Sequence, residues 1–381
     1  MKKYKVAFAT GSRADYGIVR NYLSKLNADS EVDFSVLTTG ALLSDEFGSA
    51  VKIIEQDGFR IDYKDAIPQK MGSLHDTCHI MAQTLDDFSQ FFSEHKYDLL
   101  IILGDRYEIY SVSIAAAMHR IPMLHLHGGE LTAANYDEFI RHSITKMATW
   151  HITSTEEYRQ RVVQLGEQPS NVYYLGALGA ENCLHIDMRN VPSDLQGYDN
   201  SFVVLFHPET LNEVSPLEQV EQVLKAVEPF TKDYTFVFIG SNADTHADQI
   251  TSRVKSFCDS RSYCHFYSNL HPDGYHYIVK KSIALIGNSS SGVIEVPSLG
   301  SFTINIGDRQ TGRVKSSSII DVRCDAKEIT NAINYSIQHK DEPITDTPYY
   351  KENSAQLYYN VTKDILHGVK PQYKVFYDIK K

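Results

Sequence analysis

Short apolar runs alternate with longer amphipathic stretches over most of this chain, and this alternation limits the folds that it can adopt. In the first half, five apolar runs each precede a stretch in which apolar residues recur every three or four positions. Such strand–helix units predict a parallel sheet with helices on both faces. The runs are YKVAFAT, DFSVLTTG, YDLLIILGD, IPMLHLHGG and TWHITS, and the predicted helices cover residues 16–26, 46–56, 107–119, 136–147 and 156–165.

The alternation begins again in the second half, where five further runs each predict a strand that ends in a polar or glycine-rich turn. They are SFVVLFHPET, YTFVFIGSNAD, CHFYSN, SIALIGNSSSG and SFTINIGDRQTG. Between the halves the pattern is interrupted by Pro192, Ser193, Gly197 and Asn200. A chain of 381 residues, 42% of them apolar, is long enough for two hydrophobic cores. We therefore expect an α/β protein of two doubly wound domains, joined near residues 180–199.

The charge of the chain argues against polyanionic partners. Asp and Glu number 48 against 37 Lys and Arg, which gives a formal net charge of −11, and no basic run occurs. We therefore expect no nucleic-acid and no membrane-surface binding. The five cysteines include no Cys-x-x-Cys pair, which suits packing residues in a reducing cytoplasm. Because neither a signal peptide nor an apolar run near the ~18 residues of a membrane span is visible, we expect a cytoplasmic protein.

Polar residues follow the ends of several predicted strands. In doubly wound sheets the ligand lies outside the carboxyl ends of the strands. Two domains with facing strand ends would place these residues around one cleft, and we expect the active site in that cleft. The residues are Arg13 after the first strand, Asp105 and Arg106 after LLIILG, His127 and Glu130 after PMLHLH, His207 after the first strand of the second half, and Ser289, Ser290 and Ser291 after ALIGN.

A serine run in GNSSSGVIEV, residues 287–296, opens a predicted helix. The backbone N–H groups of a helix N-terminus, together with serine hydroxyls, suit a diphosphate. One serine would be enough to cap the helix, so three in a row favour an anion site. Glu295, one turn further on, suits either the hydroxyl pair of a ribose or a solvated surface. The two arginines of GDRQTGR, Arg309 and Arg313, suit either phosphate or ordinary surface charge.

The segment LHLHGGELTAANYDEFIRHSITK, residues 124–146, is dense in groups that can transfer protons. His125 and His127 alternate on a strand and so share a face, and the two glycines after them allow a sharp turn. Asp137 and Arg141 are four residues apart on a predicted helix and can pair. A capped helix with a surface ion pair would explain part of this pattern. Carboxylates and histidines that converge at strand ends favour acid–base chemistry instead.

Fingerprints of other ligand classes are absent from the sequence. There is no GxGxxG motif with an acidic residue about 20 positions later and no GxxxxGK[ST] motif, which argues against nicotinamide dinucleotides and P-loop nucleotides. The HxxxH pair formed by His75 and His79 lacks the glutamate of zinc peptidases. We therefore expect neither a metal nor an organic cofactor.

Seven motifs, in the same order along the chain, resemble those of the hydrolysing UDP-N-acetylglucosamine 2-epimerases, most closely the bacterial NeuC type of sialic acid synthesis. They are TGSRADYG, LGDRYE, HGGE followed by YDEFIRHSITKM, STEEYRQRVVQLGE, FHPET, IGNSSSGVIEVPSLG and INIGDRQTGR. The match as a whole runs from the first strand to about residue 365. The resemblance implies a glycosyltransferase-B-like fold. A Rossmann-like N-terminal domain, residues 1–185, would take up the C-terminal helix at about 360–381, and a second Rossmann-like domain, residues 195–358, would bind UDP.

The resemblance also implies a reaction. UDP-N-acetylglucosamine and water would give N-acetylmannosamine and UDP, with inversion at C2 through an enzyme-bound 2-acetamidoglucal. Neither a nicotinamide nor a metal takes part in this family. The implied assembly is a homodimer or a homotetramer formed through the first domain.

Site roles follow from the resemblance by position. Asp105, Glu130 and Asp137 would serve acid–base catalysis, and Arg141 would orient one of them. Many relatives have glutamate where this chain has His127 in HGGE, so the base at C2 is either this histidine or one of the three carboxylates. A carboxylate shielded from water is favoured, because burial raises its basicity. The UDP-sugar would contact Arg13, Arg106, Ser290, Ser291 and Arg309 at the diphosphate, Glu295 at the ribose, His207 near the phosphates and the backbone near Leu270 at the uracil edge.

Other functions remain open at the level of sequence. The same chemistry could act on a modified sugar nucleotide, such as UDP-diacetylbacillosamine or a GDP-linked sugar on the route to legionaminic acid. A non-hydrolysing epimerase, a glycosyltransferase and a non-catalytic nucleotide-sugar binder are further alternatives. The carboxylates disfavour the binder, because extra negative charge beside a diphosphate weakens its binding.

Overall fold

The computed structural model describes residues 3–43, 51–67, 74–131, 136–207, 214–240, 247–368 and 373–379. The chain forms two compact units, the first made of Met1–Leu178 with Lys351–Lys381 and the second of Gly179–Tyr350. Each unit is a parallel sheet with helices on both faces, which confirms the predicted α/β class with two Rossmann-like domains. No helix in the described part of the chain is long and apolar enough to cross a membrane.

The described residues of the first unit form a sheet of seven parallel strands. They are β1 (Tyr4–Thr10), β2 (Val32–Thr39), β3 (Ile61–Asp65), β4 (Leu99–Leu103), β5 (Met123–Leu126), β6 (Trp150–Thr153) and β7 (Val172–Tyr174). Their order across the sheet is β3-β2-β1-β4-β5-β6-β7, so the chain reverses its direction of progress between β1 and β4. Doubly wound folds bind ligands beside such a reversal.

Helices cover both faces of this sheet. Successive side chains of β1 point to opposite faces and divide the core. Val6 and Phe8 belong to the cluster that includes α1 side chains, whereas Ala7 and Ala9 belong to the cluster that includes α3 and α4 side chains. The predicted helix 46–56 is described only from its residue 51 onward. The helices are α1 (Arg13–Asn27), α2 (Val51–Gln56), α3 (Leu74–Glu94), α4 (Tyr107–Met118), α5 (Asp137–Met147) and α6 (Glu156–Gln164), followed by α7 (Leu178–Asn182), where the second unit begins.

The second unit repeats this plan with six parallel strands in its described residues. The strands are β8 (Ser201–Leu205), β9 (Phe236–Ile239), β10 (Cys264–Tyr267), β11 (Ser282–Gly287), β12 (Phe302–Ile306) and β13 (Ile319–Val322). Their order is β10-β9-β8-β11-β12-β13, so the reversal lies between β8 and β11. His207 and the serine run follow these two strands. The helices are α8 (Pro216–Val227), α9 (Ala247–Asp259), α10 (Pro272–Lys281), α11 (Ser290–Ile294), α12 (Val296–Leu299) and α13 (Ala326–His339).

The chain returns to the first unit through its C-terminal helix, α14 (Ser354–His367). The Tyr358 hydroxyl donates to the backbone oxygen of Gly176 at 2.7 Å, and the hydroxyls of Tyr22 and Thr362 are 2.7 Å apart. These buried hydrogen bonds fix α14 against α1 and the segment after β7. The helix begins earlier than the sequence-based position of about residue 360.

Candidate active site

Asp105 follows β4 on a turn that a glycine makes possible. Gly104 has a φ of +78°, a left-handed conformation that residues with a Cβ rarely adopt. The turn leads into Arg106, which is the N-cap of α4. Asp105 forms an ion pair with Arg141 of α5, whose side chain is only 5% exposed. The fold thus brings together two of the predicted site residues from different elements.

Arg141 also contacts a third site residue. Its Nη1 donates to the backbone oxygen of Glu130 at 2.8 Å, and the carboxylate of Glu138 lies 3.9 Å from the same nitrogen. A buried guanidinium is stable only when acceptors surround it. One side chain of α5 therefore fixes the end of β4 relative to the loop after β5.

Glu130 is almost completely buried, and its carboxylate has a defined donor. Ser154, which directly follows β6, donates from its hydroxyl to Oε1 of Glu130 at 2.7 Å. His127 Nδ1 lies 3.6 Å from the same oxygen. Sequence reasoning missed Ser154, although it follows a strand end just as Asp105 does. A carboxylate shielded from water and held by a neutral hydroxyl is suited to act as a base.

His127 and Gly129 shape the loop after β5. Both have left-handed backbone conformations, with φ of +62° and +83°. This conformation is strained for histidine but not for glycine. A Cβ on Gly129 would lie 2.5 Å from the backbone oxygen of Tyr158, so the loop packs directly on α6. Strain of the kind seen at His127 is concentrated at functional sites in proteins.

His125 supports this loop from within the core. Its Nε2 lies 3.0 Å from the backbone oxygen of Gly104, and its Nδ1 lies 3.2 Å from the hydroxyl of Thr145. Because a carbonyl only accepts, Nε2 carries the proton and Nδ1 is the acceptor. Burial lowers the pKa of His125 to about 3, so the ring is neutral at pH 7. His125 therefore ties β4 to α5 as a structural residue.

Asp137 is the first residue of α5, one turn before Arg141. The pKa of the adjacent Tyr136 phenol reflects the charges around Asp137. Burial and the Asp137 carboxylate raise the pKa of Tyr136, and the charge of Arg106 acts in the opposite direction. The start of α5 therefore lies near the start of α4, on the side of the unit where Asp105 is found.

Arg106 is held by a buried acid that sequence reasoning did not single out. Its Nη2 donates to Oε1 of Glu108 at 2.8 Å, and Glu108 is completely buried. The other oxygen of this carboxylate has no hydrogen-bond partner among the described residues. Burial also raises the pKa of the neighbouring Asp15, against the opposing effect of Arg106. Arg13, the other predicted basic residue here, begins α1, but its side chain lies outside the described residues.

Asn288 organises the strand ends of the second unit. Its Nδ2 donates to the backbone oxygen of His207 at 2.8 Å, and its Oδ1 accepts from the His207 backbone N–H at 2.9 Å. Gln310 donates to the Asn288 backbone oxygen at 2.9 Å. The preceding Gly287 leaves no space for a side chain, since a Cβ there would lie 1.8 Å from the Leu205 oxygen. Sequence reasoning missed Asn288, although it begins the polar run after β11.

The serine run divides its hydroxyls between the fold and the surface. Ser289 is the N-cap of α11 and accepts from the backbone N–H of Ser291 at 3.4 Å. The Ser291 hydroxyl lies 2.6 Å from the hydroxyl of Tyr275. Ser290 is exposed at the first position of the helix. Helix capping therefore accounts for Ser289, the Ser291 hydroxyl contacts Tyr275, and Ser290 lies at the surface.

Glu295, just after α11, is held from the side of α10. His276 Nε2 lies 3.1 Å from Oε2 of Glu295, and because a carboxylate only accepts, that nitrogen carries the proton. A Cβ on Gly179 would lie 2.9 Å from Oε1. The carboxylate thus occupies space that the glycine leaves open.

His207 and Arg309 lie near each other at the same edge of the second unit. Burial, followed by the positive charge of Arg309, lowers the pKa of His207 to about 4. Arg309 itself is exposed in the turn after β12. An exposed guanidinium beside a neutral imidazole suits the binding of phosphate oxygens. Leu270, predicted near the uracil, lies just before His271, the N-cap of α10.

The two units therefore carry different chemistry. The first collects carboxylates around a buried arginine, which suits proton transfer. The second collects hydroxyls, a cation and a carboxylate, which suits a nucleotide. Among the residues that the structure describes, no three Asp, Glu, His or Cys side chains are grouped as metal ligands would be.

Most of the chain has counterparts among known proteins. The family model described as UDP-N-acetylglucosamine 2-epimerase matches residues 24–363. The polysialic acid biosynthesis protein P7 of Escherichia coli is 46% identical over 382 residues, covering 98% of this chain and 97% of that protein. The GDP/UDP-N,N'-diacetylbacillosamine 2-epimerase (hydrolyzing) of Campylobacter jejuni is 34% identical over 327 residues, covering 84% of this chain and 85% of that protein.

A solved structure matches the fold as well. The UDP-GlcNAc 2-epimerase of Neisseria meningitidis bound to UDP-GlcNAc has a TM-score of 0.77, covering 94% of this chain and 100% of that chain. The two sequences are 16% identical, so this likeness establishes the fold alone.

Proposed function

Because the chain belongs to the UDP-N-acetylglucosamine 2-epimerase family, we propose that it converts UDP-N-acetylglucosamine and water to N-acetylmannosamine and UDP. The observation that carries this proposal is the contact of Arg141 with both Asp105 and Glu130 at the strand ends of the first unit. An epimerisation at carbon needs positioned acids and bases, and this cluster supplies them. The name of the E. coli relative, which refers to polysialic acid, fits a product used for sialic acid synthesis.

In the first step, a base takes the proton from C2 of the sugar while the bond between C1 and the diphosphate oxygen breaks. UDP leaves with the electron pair of that bond, and a C1=C2 double bond forms in a 2-acetamidoglucal. We assign the base to Glu130. Its burial and the hydrogen bond from Ser154 support this assignment, because a fixed carboxylate out of water can abstract a proton from carbon.

In the second step, water adds to the glycal. Its oxygen bonds to C1, and a proton reaches C2 from the face opposite to the one that was deprotonated, which gives the manno configuration. We assign the transfer of these protons to Asp105 and Asp137. The ion pair with Arg141 holds the Asp105 carboxylate in place for this transfer.

We assign nucleotide binding to the second unit. Ser290, Ser291, Arg309 and His207 would bind the diphosphate, and Glu295 would bind the ribose. The exposed positions of Ser290 and Arg309 support this assignment, because a ligand can reach them. The backbone at Leu270 is assigned to the uracil edge. The diphosphate contacts of Arg13 and Arg106 stay predictions from the resemblance.

The reaction is tested by incubating the protein with UDP-N-acetylglucosamine in D2O and following the products by NMR. We expect free UDP and N-acetylmannosamine with deuterium at C2, because the proton taken by the base exchanges with solvent. A product that kept its original C2 hydrogen would contradict the elimination mechanism. Release of UDP-N-acetylmannosamine in place of the free sugar would make the protein a non-hydrolysing epimerase.

A second candidate is the same chemistry on a modified sugar. The 34% identical relative is named for GDP- or UDP-linked N,N'-diacetylbacillosamine, which carries an extra acetamido group. Comparing kcat/KM for UDP-N-acetylglucosamine and UDP-N,N'-diacetylbacillosamine decides between the two. We expect UDP-N-acetylglucosamine to be the better substrate, and the opposite ranking would favour the second candidate.

We propose further that the protein forms a homodimer or homotetramer through its first unit. Large apolar side chains exposed on this unit support self-association, notably Met118 at 79%, Leu74 at 77% and Phe139 at 59% exposure. Sedimentation velocity tests the proposal, and a monomer at micromolar concentration would contradict it.

A further inference from the structure

Two adjacent residues of α10 contact two different groups that we assign to the nucleotide. The Tyr275 hydroxyl is 2.6 Å from the hydroxyl of Ser291, and His276 Nε2 is 3.1 Å from the Glu295 carboxylate. We propose that Tyr275 and His276 are positioning residues, which set the diphosphate-binding hydroxyl and the ribose-binding carboxylate in a fixed relation. This inference rests on the proposed binding of UDP by the second unit.

The surroundings of Glu295 explain how its carboxylate would select a ribose. His276 occupies Oε2, whereas Oε1 accepts no hydrogen bond from the described residues. The side chain is 17% exposed, so the carboxylate is not sealed from solvent. A ribose presents two neighbouring hydroxyl donors, and a carboxylate oxygen has the lone pairs to accept them. Holding one oxygen and leaving the other open directs the carboxylate toward the ribose.

Gly179 leaves open the space that the Glu295 carboxylate occupies. An added Cβ at this position would lie 2.9 Å from Oε1, closer than side-chain carbons approach an oxygen. The carboxylate thus lies between the backbone of α7 at Gly179 and the imidazole of His276. A methyl group at position 179 would push the carboxylate out of this place. The helix α7 itself would tolerate the alanine, because alanine is a good helix former.

Tyr275 acts on the other end of the nucleotide site. A phenol that donates to the Ser291 oxygen leaves the serine proton free for a phosphate oxygen. The Ser289 hydroxyl lies 3.0 Å from the same Ser291 oxygen and completes its surroundings. The helix that carries Tyr275 is itself fixed, because it buries Ile278 and Val279 in the core of the unit. One rigid helix therefore supports both ends.

The test compares two ligands by calorimetry, UDP and 2′,3′-dideoxyuridine diphosphate, which lacks the ribose hydroxyls. Wild-type protein should bind UDP at least tenfold more tightly than the dideoxy nucleotide, since charge-assisted hydrogen bonds to the carboxylate are lost. His276→Phe should weaken UDP binding about tenfold and leave the dideoxy nucleotide within twofold. His276→Gln, which keeps a donor near the position of Nε2, should restore most of the preference. Tyr275→Phe should weaken both nucleotides by the same factor.

Gly179→Ala gives an independent check that does not alter α10. It should reduce the preference for UDP as His276→Phe does. Its matched control is Gly17→Ala, a helix position in the first unit where an added Cβ meets nothing within 4 Å. This control should leave both affinities unchanged. The unfolding temperature of each variant shows whether it is folded.

The outcomes separate this inference from the function on which it rests. If folded His276→Phe and Gly179→Ala keep the wild-type preference for UDP, or weaken both nucleotides equally, the positioning role is wrong while UDP binding stands. If the wild-type protein does not bind UDP, the proposed function is wrong and the inference with it. Loss of the preference in both variants, with recovery in His276→Gln, supports the inference.

Discussion

Arg141 of α5 forms an ion pair with Asp105 at the end of β4, and its guanidinium is almost fully shielded from water. Without it, the Asp105 carboxylate would lose its countercharge and the Glu130 backbone oxygen its donor. We expect Arg141→Met to lower kcat by about 10²-fold or more, because positioned acids and bases are worth about 10²–10⁴-fold. UDP affinity should stay within a few-fold of wild type. Steady-state kinetics and calorimetry measure the two quantities.

The matched control for this change is Arg189→Met. Arg189 is 87% exposed and pairs with Asp187 on the surface of the second unit. Exposed pairs of this kind contribute little, so both kcat and UDP affinity should match wild type. A wild-type kcat in Arg141→Met would remove Arg141 from the catalytic cluster.

A two-step assay should distinguish the catalytic roles of the three carboxylates from the role of His127. We expect Asp105→Asn, Glu130→Gln and Asp137→Asn each to lower kcat by about 10²–10⁴-fold, and His127→Gln by on the order of tenfold. Each variant is then given synthetic 2-acetamidoglucal with UDP. Glu130→Gln should still hydrate the glycal, because its defect lies in proton removal from C2.

One result of this assay would reverse the assignment. His127 lies 3.6 Å from the Glu130 carboxylate and is held in a strained conformation, so it is the competing base. If His127→Gln damages elimination most and Glu130→Gln remains near wild type, the histidine is the base at C2.

UDP binding should depend on the polar edge of the second unit. Arg309→Ala, Ser290→Ala and Glu295→Ala should all weaken UDP binding. The arginine should cost most, about 1.5–3 kcal/mol or roughly 10- to 150-fold, because it makes charge-assisted bonds to phosphate. Arg323→Ala, an 86% exposed arginine of the same unit, is the control and should bind UDP as wild type does. Unchanged calorimetric affinity in all three variants would exclude this edge as the nucleotide site.

The fold was predictable wherever strands are buried on both faces. β1, β4 and β11 read as continuous apolar runs because helices cover both of their faces. The three strands that the pattern did not predict, β3, β7 and β13, all lie at sheet edges. In β3, whose sequence is IDYKD, the partly buried Ile61 and Tyr63 alternate with the exposed Asp62 and Lys64, because one face is open to solvent. The long helix α3 was also not predicted.

The sequence predicted which polar residues follow strand ends, but not which side chains they contact. Asp105, Glu130 and Ser290 were predicted as site residues because each follows a strand end, a property of the local sequence. Ser154 and His276 contact site carboxylates from elements that are distant in sequence. Such contacts depend on how helices and strands pack, and no local pattern encodes them. The expected sharing of a face by His125 and His127 likewise did not reveal that the first is structural, and β5 ends at Leu126, before His127.

Glu167 should make the first unit sensitive to acid. Burial alone would disfavour its charge, but hydrogen bonds from His151, Lys146 and Lys374 outweigh that cost and lower the pKa of Glu167 to about 2. The carboxyl is ionised above its unfolded pKa near 4.5, so its stabilising effect is complete there and is lost as the pH falls from 4.5 to 2. Glu167→Gln should lower the free energy of unfolding at pH 7 by about 1.5–3 kcal/mol, because a buried carboxylate loses its charge-assisted hydrogen bonds to the partly exposed Lys146 and Lys374.

Urea unfolding measures this effect, followed by the fluorescence of the single tryptophan, Trp150, which lies in β6 of the first unit. In Glu167→Gln the loss of stability between pH 4.5 and 2 should be smaller than in wild type. Lys374 also donates to the backbone oxygens of Thr145 and Lys146 at 2.9 and 2.8 Å, so the same variant should loosen the C-terminal segment. Equal stability of the variant and wild type at pH 7 would contradict the assignment.

His125 should produce a second acid-dependent loss in a higher pH range. Burial lowers its pKa to about 3 from an ordinary value of 6.5, so between these values the unfolded chain binds a proton that the native protein does not. Stability is therefore full above pH 6.5 and falls as the pH is lowered toward 3, by about 1.4 kcal/mol per pH unit for one proton.

His125→Gln keeps a donor toward the Gly104 oxygen but cannot titrate. We expect it to lower stability at pH 7 by about 1–3 kcal/mol and to reduce this slope, as seen by Trp150 fluorescence, while His151, whose pKa burial also lowers, keeps its own share of the slope. His79→Gln, on the exposed surface of α3, should keep the wild-type slope. If His125→Gln retained the full slope between pH 6.5 and 4.5, where Glu167 does not yet contribute, another group would be the source of the acid sensitivity.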